Sequence, residues 1–107
     1  MTILEMQKEF HDKYFTGMLE KGNKEELTLQ FVVAIMAELG EVLEGINWKH
    51  WKKTKVEINE DYIKLELIDI QHFLNNLYLI WGMDDNEVNT VYYLKNMENR
   101  RRQQSGY

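Results

Sequence analysis

A chain of 107 residues fits one domain with a thin core, and 44% hydrophobic content without a single proline excludes disorder and favours helices. The absence of cysteine excludes disulfides, thiolate metal sites and thiol catalysis. A net charge of −5 argues against general nucleic-acid binding. No apolar run approaches a membrane span and the N-terminus carries no signal-peptide pattern, so a soluble cytoplasmic protein is expected.

The first helix is predicted from about Ile3 to about Leu19, with Leu4, Met6, Phe10, Tyr14 and Met18 as an apolar stripe. Lys21-Gly22-Asn23 ends it, and Asn23 with Glu26 three positions on can cap the second helix. That helix carries Phe31, Val32, Ile35, Met36, Leu39, Val42 and Leu43 on one face and should end near Gly45 to Trp48. A lysine-rich connection follows, from Lys49 to about Ile58, and Asn59 can cap the third helix.

The third helix is apolar almost all round, from Leu65 to Trp81, as suits the middle of a bundle. Gly82 stops it. Asp84 then caps a fourth helix, with Glu87 as box partner and Val88, Val91, Tyr92 and Leu94 expected to face inward. The whole chain, 1–107, reads as one all-α domain, a compact antiparallel bundle of about four helices. So thin an interior is expected to be completed by oligomerisation.

Two of the predicted helices carry acids three residues apart, Glu38 with Glu41 and Glu66 with Asp69. Side chains at i and i+3 share a helix face, roughly 5–6 Å apart at Cβ. Two such helices side by side offer four carboxylates to a hard cation such as Mg²⁺. An isolated E-x-x-E is most often solvated surface charge. Here Glu38 and Glu41 border the apolar stripe in line with Ala34, Ala37 and Gly45, and Glu66 and Asp69 share a stripe with Tyr62 and Phe73. Acids beside a dry interior repel one another unless they are paired or metallated. His72 follows Asp69 by three residues and reads as a core or supporting histidine, since a ferritin-like centre needs acid-x-x-His on two helices.

Near the C-terminus, Lys95, Asn99 and Arg102 fall on one helical stripe, a grip suited to a polyphosphate. A frayed, solvated tail is the plain alternative. The chain has no Gly-rich phosphate loop and no serine–histidine–acid set, which leaves metal-assisted attack by water. A non-enzymatic helical binding module with solvated acids also remains open on the residues alone.

Four blocks together resemble the dimeric all-α dUTP pyrophosphatases and the related phage dCTP/dUTP pyrophosphatases. They are Met6-Gln7, AELGEVLEGINWKHWKK from Ala37 to Lys53, ELIDIQHF from Glu66 to Phe73, and YYLKNMENRRRQQSGY from Tyr92 to Tyr107. The resemblance implies Mg²⁺ on Glu38, Glu41, Glu66 and Asp69, with Glu41 also orienting or deprotonating the attacking water. It implies phosphate contacts from Lys52, Lys95, Arg102 and Tyr107, and nucleotide contacts from Gln7, His11, Trp48 and Asn99. Where the dUTP enzymes usually place a base-reading asparagine four residues after the glutamine, this chain has His11, which keeps cytosine open beside uracil. The implied activity is hydrolysis of dUTP, with dCTP as alternative, to the monophosphate and pyrophosphate by a homodimer or higher homo-oligomer. The chain also lacks the helical region that many dimeric dUTP enzymes insert between the acidic and basic motifs.

Overall fold

The computed structural model describes residues 1–106. Among these the chain forms five helices and no strand: α1 (Ile3–Tyr14), α2 (Met18–Lys21), α3 (Lys24–Glu44), α4 (Glu60–Ile80) and α5 (Asp85–Gln104). The all-α expectation holds. No helix of the described residues is long and apolar enough to cross a membrane.

Local chemistry sets the helix starts. The Asn23, Asn59 and Asp84 side chains accept from the backbone N–H groups of Glu26, Tyr62 and Glu87 at 2.8–3.0 Å. Thr2 and Glu5 form a full reciprocal capping box at the head of α1. The predicted first helix is in fact two. Phe15 leaves helical geometry, and Gly17 adopts φ 76°, a left-handed conformation that glycine tolerates, before α2 begins. The break turns Leu19 into the interior.

The long helices α3 and α4 form the body as an antiparallel pair. Tyr62, at the start of α4, donates to the Glu41 carbonyl near the end of α3, while the Trp81 indole N–H, just past α4, donates to Thr28 near the start of α3. Both α1 and α2 pack on α4, which is the central helix as its apolar sequence suggests. The buried apolar cluster is small: Leu19, Leu27 and Ile80, backed by Met18, Phe31, Leu77 and Leu79. It sits where α3 begins and α4 ends. The acid motifs lie at the other end of the same helix pair.

The largest departure from expectation concerns α5. None of its residues is buried, and Val91, Tyr92 and Leu94, expected to face inward, are 43%, 73% and 60% exposed. It makes no substantial packing against α1–α4, so the bundle is not compact throughout. The Cα radius of gyration is 17.5 Å, against the roughly 13 Å of a compact chain of this length.

Candidate active site

Antiparallel packing of α3 on α4 brings Glu38, Glu66 and Asp69 together, each with a carboxylate oxygen within 4.8 Å of the others. Glu38 and Glu66 are half-buried and Asp69 is exposed. One Glu66 oxygen, Oε2, is shielded from solvent and has no hydrogen-bond donor. The Glu66 carboxyl is pushed up to about 7, first by a hydrogen bond with the Glu38 carboxyl, then by burial, then by the charges of Glu38, Asp69 and Glu41. Near neutral pH the cluster therefore retains a proton to relieve its own repulsion.

Three convergent oxygens, an orphaned shielded carboxylate atom and excess negative charge fit a hard divalent cation. Oxygens bound to one Mg²⁺ at 2.0–2.1 Å are at most about 4.2 Å apart, so a small rotamer adjustment accommodates it. Glu41 stands slightly outside the trio. It is exposed, and its Oε2 accepts from the Tyr62 hydroxyl at 3.2 Å. Burial and the hydrogen bond to Glu41 raise the Tyr62 phenol, which stays a donor and steadies Glu41. A Cβ at Gly45, one turn beyond Glu41, would lie 3.1 Å from the Tyr62 ring, so glycine permits this close approach.

The next face of α4 meets α1 through a chain of polar side chains. Gln7 is buried; its Nε2 donates to Asn76 Oδ1 at 2.8 Å, and its Oε1 lies 2.9 Å from His72 Nδ1. Gln71 likewise donates to Asn75 at 2.9 Å. Gln7, Gln71, His72 and Asn75 line a cavity of about 380 Å³ whose remaining wall is apolar, including Met6, Phe10 and Ile68. His11 is 6% exposed and lies among the rings of Phe10, Phe15 and Phe31. Burial lowers its pKa, against an opposing hydrogen bond to Asn76, so the neutral imidazole is favoured. Far from being a core histidine, His72 is exposed and supports Gln7.

Trp48 and Lys52 lie in the loop after α3, where with Lys49 and Lys55 they line a cleft of about 200 Å³. Trp48 packs edge-on against Trp51, and Asn47 pins the loop through both backbone polar groups of Val56, at 2.9 and 3.1 Å. On α5, Glu98 bridges the basic stripe, accepting from Lys95 at 3.2 Å and from Arg102 at 2.9 Å. Asn99 is exposed on the same helix, and Tyr107 lies outside the described residues. The sequence signal that went unread is the Asn75-Asn76 pair, two amides inside an otherwise apolar helix that both prove 3% exposed.

The dUTPase family profile matches residues 1–80, which include both acid motifs and Gln7. The chain belongs to the dUTPase family. A dCTP pyrophosphatase of Enterobacteria phage T4 is 36% identical over 89 residues, covering 68% of this chain and 52% of that protein. A dCTP pyrophosphatase of Enterobacteria phage LZ5 is 44% identical over 71 residues, 56% of this chain and 41% of its own length. A DNA replication protein of phage T4 is 35% identical over 78 residues, 58% of this chain and 20% of that protein. The chain thus spans about half the length, or less, of the relatives it matches. No solved structure matches it. The profile ends where α4 ends, so this dUTPase-family chain carries α5 beyond the matched region.

Proposed function

We propose that this dUTPase-family protein is a Mg²⁺-dependent nucleoside triphosphate pyrophosphohydrolase that converts dUTP to dUMP and pyrophosphate. The observation that carries the reading is the convergence of Glu38, Glu66 and Asp69 beside Glu41, on the segment that matches the family profile. When bound, Mg²⁺ supplies Lewis-acid stabilisation of the phosphate charge and lowers the pKa of water.

The chain's own groups take the remaining roles. Glu38, Glu66 and Asp69 hold the cation, with Glu41 at their edge. Glu41, steadied by Tyr62, orients the attacking water and accepts its proton. The water oxygen bonds to a phosphorus of the α–β linkage, the bridging P–O bond breaks, and pyrophosphate leaves. Lys52, Lys95, Arg102 and Tyr107 neutralise phosphate charge, with Asn99 beside them. Gln7, held by Asn76 and His72, reads the base, and Trp48 flanks it. His11 acts from behind, through Asn76, on the orientation of that glutamine.

A second reading takes dCTP as substrate by the same chemistry. Two phage relatives bear the name dCTP pyrophosphatase, and His11 replaces the asparagine usual in dUTP enzymes. Incubation with dUTP, dCTP and dTTP in the presence of Mg²⁺, followed by product analysis, tests both. Monophosphate plus pyrophosphate from dUTP or dCTP supports the reading and ranks the bases. No turnover of any triphosphate, or release of inorganic phosphate, overturns it.

A further inference from the structure

Two amides, Gln7 on α1 and Asn76 on α4, meet in the interior, and two histidines end the chain of bonds that they begin. Gln7 Nε2 donates to Asn76 Oδ1 at 2.8 Å, Gln7 Oε1 lies 2.9 Å from His72 Nδ1, and His11 hydrogen-bonds Asn76. Gln7 and Asn76 are 7% and 3% exposed, so neither amide has water to fall back on. His72, by contrast, is exposed.

An amide has nearly the same shape when turned end for end, so its hydrogen bonds alone fix which end is which. A glutamine–asparagine pair does not fix it, since it closes equally well with either residue donating. His72 removes the ambiguity. The Gln7 carbonyl oxygen only accepts, so in the arrangement seen His72 Nδ1 carries the ring proton. Turning the Gln7 amide requires Nδ1 to be bare and Asn76 to turn as well. His11 does not forbid that reverse sense: burial favours its neutral form, in which a ring nitrogen gives or accepts according to tautomer.

Which way Gln7 faces matters to a pyrimidine. Its two bonds leave one N–H and one carbonyl lone pair unused, and Gln7 lines the cavity of about 380 Å³. Uracil offers a carbonyl at position 4 and an N–H at position 3, whereas cytosine offers an amino group and a bare nitrogen there. The two edges run in opposite senses. In one pose, an amide that matches uracil meets cytosine donor to donor until it turns. We propose that His72 is a positioning residue that sets the direction of the Gln7 amide, and through it the balance between uracil and cytosine.

The inference rests on the base-reading role given to Gln7 above. Met6, Phe10 and Ile68 on the same cavity wall are apolar and cannot compensate a mismatched amide. A buried polar group that faces its own kind weakens binding by roughly tenfold or more.

The test uses full-length His72→Lys, which only donates, and His72→Glu, which when ionised only accepts. His72 is exposed, so either side chain suits a folded chain; circular dichroism checks this, with His72→Arg and His72→Asp as second choices of each kind. The ratio of kcat/KM for dUTP to that for dCTP should differ between the two variants by roughly tenfold or more, because each enforces one direction of the amide. The added charges act on both triphosphates alike and cancel in that ratio. With Gln7→Ala added, the two variants should share one ratio. A common ratio while Gln7 is present, or a difference that survives Gln7→Ala, overturns the proposal. A wild type that turns over neither triphosphate overturns the functional reading instead, and is seen before any variant is made.

Discussion

Helices α4 and α5 are nearly equal in length, 21 and 20 residues, and opposite in setting. The first is packed by α1, α2 and α3; the second packs substantially on none of them. Their sequences explain the difference. Helix α4 sets Phe73 against Phe31 of α3, places Ile80 in the core with Leu27, offers Asn76 to Gln7 of α1, and brings Glu66 and Asp69 to Glu38. Helix α5 breaks its apolar residues with Asn89, Lys95, Asn96 and three consecutive arginines. A packed helix can aim ligands with precision, because its neighbours lock their rotamers. An outlying helix can only offer charge until something docks beside it.

The comparison breaks first at Glu41. Glu41→Gln keeps shape and hydrogen bonding to Tyr62 but removes the proton acceptor. Turnover should fall by roughly 10²–10⁴-fold with the circular dichroism spectrum unchanged. Near wild-type kcat would remove the α3–α4 site from catalysis. Packing comes next. Ile80 is 2% exposed in a three-residue core, so Ile80→Ala should cost about 2–5 kcal/mol in denaturant unfolding. By contrast, Leu94→Ala on α5 should leave the unfolding of the isolated chain almost unaltered. Equal losses would mean that the two helices are packed alike.

The Arg102→Ala variant sharpens the other side. Losing a charge-assisted contact should weaken binding of a non-hydrolysable dUTP analogue by roughly 10–100-fold in calorimetry, with unfolding stability maintained. Unchanged affinity would leave α5 without a phosphate role.

The smallest effect concerns pH. In metal-free protein the Glu66 carboxyl is raised from 4.5 to about 7, so between these values the folded state holds a proton that the unfolded state has released. Stability should therefore fall as pH rises across that window. The slope should shrink in Glu66→Gln, and thermal melts from pH 4.5 to 7 measure it.

Much of this was legible in the sequence where the physics is local. Asn23, Asn59 and Asp84 read as caps because a short side-chain acceptor before an apolar run has one common use. The acid pairs were legible because i, i+3 spacing fixes their face whatever lies opposite. Two other features were not. Gly17 interrupts an apolar stripe that otherwise continues to Leu19, and periodicity alone runs straight through it. Val88, Val91, Tyr92 and Leu94 have the pattern of a core face, but a pattern does not say which surface covers it. The Gln7–Asn76 bond joins residues 69 positions apart, a separation that no local rule reaches.

The central claim is that α3 and α4 converge on a divalent cation. Calorimetric titration of Mg²⁺ into the wild type and into Glu66→Gln at neutral pH tests it most directly. The account predicts saturable binding with proton release in the wild type, abolished or severely weakened in the variant. Identical isotherms for the two proteins, or no binding by either, would contradict it.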